Sequence, residues 1–152
     1  MKTFNEISEE NLIGGGITIS TNTSKSIILK ALNRNITIFI FNIPEIDFNN
    51  NIKLIDKKTI VQLQKLLHLI HRQNRYALIS FNRICNNSNS DKQIHKLVVN
   101  TIKFCKNYNF DGIDINILPS NTSNSLTRKT YRLIRSLDDS LIISSNLPLD
   151  EL

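Results

Sequence analysis

The stretch that most constrains this chain is Phe110-Asp111-Gly112-Ile113-Asp114-Ile115-Asn116-Ile117-Leu118-Pro119. In an extended strand, successive side chains point to opposite faces, so Ile113, Ile115 and Ile117 share one side. Gly112, Asp114, Asn116 and Leu118 share the other. A file of isoleucines requires a covering layer of helices. Short polar side chains on the opposite face require a wet or hydrogen-bonded interior, such as the axis of a closed barrel. The segment just upstream, residues 91–109, supplies a covering helix. Its Ile94, Leu97, Val98, Thr101, Ile102 and Cys105 recur at helical spacing, and Ser90 or Asp91 can cap it.

The rest of the chain repeats this unit. Strands are expected at 16–20, 36–43, 76–82, 111–118 and 140–146, separated by helices at 24–33, 57–74, 91–109 and 126–137. Ile27, Ile28, Leu29 and Leu32 are the apolar positions of the first helix, which Ser24 can cap. Ile60, Leu63, Leu67 and Ile70 form the apolar face of the second, widened by Val61 and Leu66. Thr130, Leu133, Ile134 and Leu137 form that of the fourth. Alternation of strand and helix implies an α/β fold of parallel β/α repeats, ordered as in the sequence, with helices on one side.

The segment from Lys103 to Leu118 resembles the signature of family 18 glycoside hydrolases, the chitinases. That signature reads Asp-Gly-x-Asp-x-Asp-x-Glu and ends the fourth strand of a (β/α)8 barrel. Asp111, Gly112 and Asp114 match it. Asn116 stands at the third carboxylate and Leu118 at the catalytic Glu, where chitinase-like lectins also carry leucine. Ser80 matches the start of the family's third-strand Ser-x-Gly-Gly, but Asn82 and Arg83 replace both glycines. Side chains there reshape a cleft that glycine would leave open to substrate.

The resemblance implies an incomplete (β/α)8 barrel of about five strands, as one domain over residues 1–152. A full barrel needs about 250 residues, and this chain has 152. It further implies a degenerate catalytic motif at Asp111, Asp114, Asn116 and Leu118. Family hydrolysis uses a Glu to protonate the glycosidic oxygen while the substrate's acetamido group attacks the anomeric carbon, an exception to the two-carboxylate scheme. Leu118 has no proton to give, and Asn116 has no charge to stabilise the oxazolinium cation that forms. Losing a positioned general acid alone costs on the order of 10²–10⁴ in rate. The expected protein is therefore chitinase-like and non-hydrolytic. It binds chitin or N-acetylglucosamine oligomers weakly at most, through Ser80, Asp114 and Asn116, with no cofactor. Sheet edges left open by the missing strands favour self-association.

Two other readings compete. Ile113-Asp114-Ile115-Asn116 also resembles a strand of dihydrouridine-synthase-like flavin barrels, but Ile117-Leu118 replaces their Gly-Cys and no phosphate-binding glycine loop follows. A relic or interaction module without ligand is the third. Gly14-Gly15-Gly16 precedes a strand rather than following one, and no Lys-Ser or Lys-Thr comes after it, so it reads as a lead-in.

Composition removes several classes. The net charge of +6 comes from Lys and Arg scattered along the chain, without the aromatic interleaving of a nucleic-acid surface. No apolar run approaches a membrane span. Residues 1–10 lead into acidic sequence rather than an apolar leader, whereas the chitinase family is usually secreted, so the compartment stays open. His68 and His71 lie three apart on the second helix, but lack a third ligand and read as surface histidines rather than a metal site. Cys85 and Cys105 are expected at opposite ends of a helical layer some 30 Å deep, too far for a disulfide. Asn and Ile make up roughly three in ten residues, so an asparagine alone does not mark a site; the four Asn-x-Ser/Thr sequons, beginning at Asn22, Asn35, Asn86 and Asn121, fall to the same composition, with Asn35 entering a strand.

Overall fold

A computed structural model describes residues 16–42, 56–83, 91–117 and 123–145. Five strands, β1 (Gly16–Ile19), β2 (Ile38–Phe41), β3 (Tyr76–Arg83), β4 (Gly112–Ile117) and β5 (Ile142–Ser145), alternate with four helices. These are α1 (Lys25–Asn33), α2 (Lys57–Arg72), α3 (Asp91–Tyr108) and α4 (Ser123–Leu137). The strands form one sheet in the order β1-β2-β3-β4-β5, every pair parallel. This is the arrangement expected of consecutive right-handed βαβ crossovers, and it is consistent with part of a (β/α)8 barrel.

The two faces of the sheet differ as the alternation in β4 requires. Ile113 and Ile115 join Phe39, Phe41, Ala77, Ile79 and Ile143 in the main core, and every buried apolar side chain of the four helices lies in that same cluster. Burying one such isoleucine contributes about 1.5–3 kcal/mol. Phe110 anchors the entry to β4, packing edge-on against Phe41 at 5.3 Å and beside Phe104 at 5.8 Å. The opposite face carries a smaller cluster made of strand residues only: Tyr76, Leu78 and Ile142, with Ile38 against them.

Gly112 belongs to that second face. A Cβ there would sit 1.9 Å from the carbonyl oxygen of Ile142 and 2.9 Å from its Cα. The close approach of β4 to β5 therefore requires glycine, whatever the local backbone angles.

Three helices end alike. Asn35, Asn74 and Asn109 have positive φ (58°, 53° and 58°). The next residue's N–H reaches back to close the turn: Ile36 to Ala31 O, Arg75 to Ile70 O, and Phe110 to Cys105 O. This is the Schellman closure with asparagine in the left-handed position. Asn35 accordingly ends α1 and does not enter a strand.

Some apolar expectations need correction. Ile27 and Leu29 of α1, Val61 of α2 and Leu137 of α4 are exposed, because each apolar stripe is narrower than its sequence suggests and Ile28, Leu63 and Ile134 take the core-facing positions. The α4 helix begins at Ser123, three residues earlier than its apolar pattern. Ser24 occupies the N-cap of α1 without capping it; its hydroxyl pairs with that of Ser26 instead. Asp56 does cap α2, accepting from both the N–H and the hydroxyl of Thr59. Cys105 is a buried free thiol whose pKa is pushed up by burial and then by the nearby Asp138 and Asp111 charges. Cys85 lies outside the described residues.

Candidate functional site

Asp111 stands immediately before β4 and holds three strands together. Its N–H donates to Ala77 O (2.8 Å), and its own carbonyl accepts from Ile142 N–H (2.9 Å). Its Oδ2 accepts from Ala77 N–H (2.8 Å) and lies 2.8 Å from His71 Nε2 at the end of α2. A carboxylate accepts only, so the imidazole nitrogen carries the proton in this contact. The expected surface histidine is thus half-buried and tied to the root of β4. The six residues of β4 carry the chain about 20 Å on from Asp111 to Ile117. Asp111 fixes where β4 starts and is too far away to take part in chemistry at the strand's other end.

Asp114 lies in mid-strand on the face opposite the helices. In register, its neighbours are Ser80 on β3 and Ser144 on β5, so the three side chains form a row across the sheet. The Ser144 hydroxyl donates to Asp114 Oδ1 at 2.5 Å. Ser80 flanks Asp114 on the other side. Burial pushes the Asp114 carboxyl above the usual carboxylate range, and the Ser144 hydrogen bond offsets part of that rise. Such a group can accept from a ligand N–H when ionised or donate to a ligand carbonyl when protonated. It does not cap a turn.

Asn116 follows two residues later on β4, in register with Asn82. Leu118 lies outside the described residues. Ser144 and His71 are the two partners that sequence reasoning missed. The signal for Ser144 was present, since a serine at that point of a fifth parallel strand falls beside mid-β4. The His71 contact spans 40 positions and follows only from the packing of α2. Among the described residues no three His, Cys, Asp or Glu side chains gather to hold a metal ion, and no helix is long and apolar enough to cross a membrane.

Fold and site together define a parallel β/α sheet of the TIM-barrel kind, with a polar row across its third to fifth strands on the face that carries no helix among the described residues. No family description matches the chain, and no curated protein matches it. Solved structures do resemble it. A chitinase from Bacteroides thetaiotaomicron superposes with a TM-score of 0.63 over 86% of this chain and 45% of its own length, at 13% identity. A chitinase from Rhizomucor miehei gives 0.61 over 86% and 45%, also at 13% identity. Human YKL-39, described as a pseudo-chitinase with retained chitooligosaccharide binding, gives 0.61 over 87% and 43%, at 15% identity. At such identities the likeness is one of fold. This chain spans less than half the length of each.

Proposed function

We propose that this chain is a chitinase-like domain that does not hydrolyse glycosidic bonds and engages N-acetylglucosamine-containing glycans weakly at most. The observation that carries the reading is the sequence Asp111-Gly112-Ile113-Asp114 leading into β4 of a chitinase-like fold, with leucine at 118 where the resemblance calls for the proton donor. Asp111 and Gly112 serve the architecture. Asp114 is the remaining chemical group, and its Ser144 partner holds it to the sheet. Asn116 adds an amide able to pair with a ligand acetamide but brings no charge.

The binding half of the reading is supported by the row Ser80–Asp114–Ser144, which presents a hydrogen-bonding carboxyl between two hydroxyls. The fold neighbour described as a pseudo-chitinase that keeps chitooligosaccharide binding offers a precedent for such a division of function. The test is a titration of the ¹⁵N-labelled chain with chitotetraose. Weak, saturable shifts confined to β3, β4 and β5 and abolished by Asp114→Ala are the expected result. Shifts centred on the outer helices would contradict it.

A further inference from the structure

Three of the four large apolar side chains that stand exposed among the described residues belong to α1 and α2: Ile27, Leu29 and Val61. Along α2, against Thr21 and Asn22 at one end and Lys25 at the start of α1, run two recesses of about 730 and 400 Å³ that share Gln62 and Lys65 and so form one groove. Leu66 and Leu69 line its apolar half. Val61 lines the larger recess.

The charge around this groove is one-sided. Lys57, Lys58, Lys65, Lys25 and Arg72 line it. Among the described residues that line it, the one carboxylate is Asp56, which accepts two hydrogen bonds from Thr59. Neither α1 nor α2 has an acidic residue in its first turn, although that is where the helix dipole favours one. Lysines at 25, 57 and 58 are set against that preference. Local choices that cost helix stability are characteristic of functional surfaces.

We propose that the α1–α2 groove docks an acidic polypeptide segment whose apolar side chains are spaced along one helical face. Its carboxylates meet the lysines at the two helix starts, and its apolar side chains cover Val61 and Leu69, the helix-in-groove mode of recognition. A lone phosphate would leave most of the groove unfilled. Among the described residues that line the groove, a nucleic acid would find no Phe, Tyr or Trp on which to stack its bases.

The probe is a fluorescent peptide of about five helical turns, with Glu on one face and Leu at i, i+3, i+4 and i+7 along the other. It is followed by anisotropy against the whole chain, beside a scrambled peptide and a single-stranded oligonucleotide of equal charge. The designed peptide is expected to bind about tenfold more tightly than either control and to keep part of its affinity at high salt, where surface charge is screened. Lys58→Glu with Lys65→Glu should weaken binding at least about tenfold, and Val61→Ser severalfold. All three side chains are exposed, so the variants are expected to fold, which circular dichroism checks. Equal binding of all three probes with no effect of Val61→Ser would reduce the groove to generic polyanion capture and overturn the proposal. Absence of peptide binding would overturn it too.

Discussion

Asp114 accepts a 2.5 Å hydrogen bond from the Ser144 hydroxyl, thirty positions along the chain and one strand over. The bond ties the most chemically active group of β4 to β5, on the face that carries no helix among the described residues. It also bears on stability, because the folded state raises this carboxyl's pKa.

A group whose pKa is higher folded than unfolded is held more favourably as the acid. Its contribution is fully present below about 3.9, the unfolded value, and is lost as pH rises through the folded pKa. Ionised Asp114 therefore costs stability at neutral pH. Asp114→Asn keeps an oxygen for Ser144 and never ionises. Thermal melts of both proteins across pH 3–8 should show the variant more stable at pH 7, with the gap narrowing toward pH 3. A constant gap would mean that the charge is not the cause.

Asp138 titrates in the opposite sense. Burial alone would raise its pKa, but the hydroxyl and N–H of Ser140 and the Lys106 ammonium at 2.9 Å outweigh that and lower it. Its contribution is present above the unfolded value and lost as pH falls through the lowered one. Asp138→Asn should reduce stability at pH 7 and flatten the acid limb of the melt profile. An unchanged acid limb would show that the charge at 138 does not matter.

Gly112→Ala is expected to be severe for its size. The added methyl would collide with the Ile142 backbone, so β5 has to move away or unpair. The cost belongs at the top of the usual overpacking range, about 3 kcal/mol, or roughly 6–12 °C in melting temperature for a chain of this length. Loss of amide protection concentrated in β5 would locate the damage. A change of less than about 2 °C would mean that the sheet absorbs the methyl freely.

The sheet's order and direction were legible in the sequence because each strand and helix announces itself by period, and right-handed βαβ crossovers leave one neighbour order. The face assignment of β4 was legible for the same reason. Helix edges were less so: Ile27, Leu29, Val61 and Leu137 are apolar yet exposed, and nothing in a periodic pattern separates a side chain that reaches the core from one at its rim. Asparagine misled in the other direction. A composition rich in asparagine hid Asn35, Asn74 and Asn109, which end three helices in a conformation that few other side chains adopt. Long-range pairs such as His71–Asp111 have no local signature at all.

Among the described residues, β1 and β5 are the outer strands of the sheet. Edge strands template pairing with other chains, so the 152-residue chain is expected to self-associate, with a mass above 17.4 kDa by light scattering that rises with concentration. A monomer throughout would contradict this.

The central claim is that the chitinase-like fold is kept here without hydrolysis. Its most direct measurement is release of the fluorophore from a methylumbelliferyl chitooligosaccharide by the purified 152-residue chain, beside Asn116→Asp/Leu118→Glu. Neither protein is expected to release fluorophore above the buffer rate. Changing two side chains leaves a chain that spans 45% of the length of the chitinases it resembles in fold. Enzyme-dependent release by the unmodified chain, proportional to its concentration, would contradict the account.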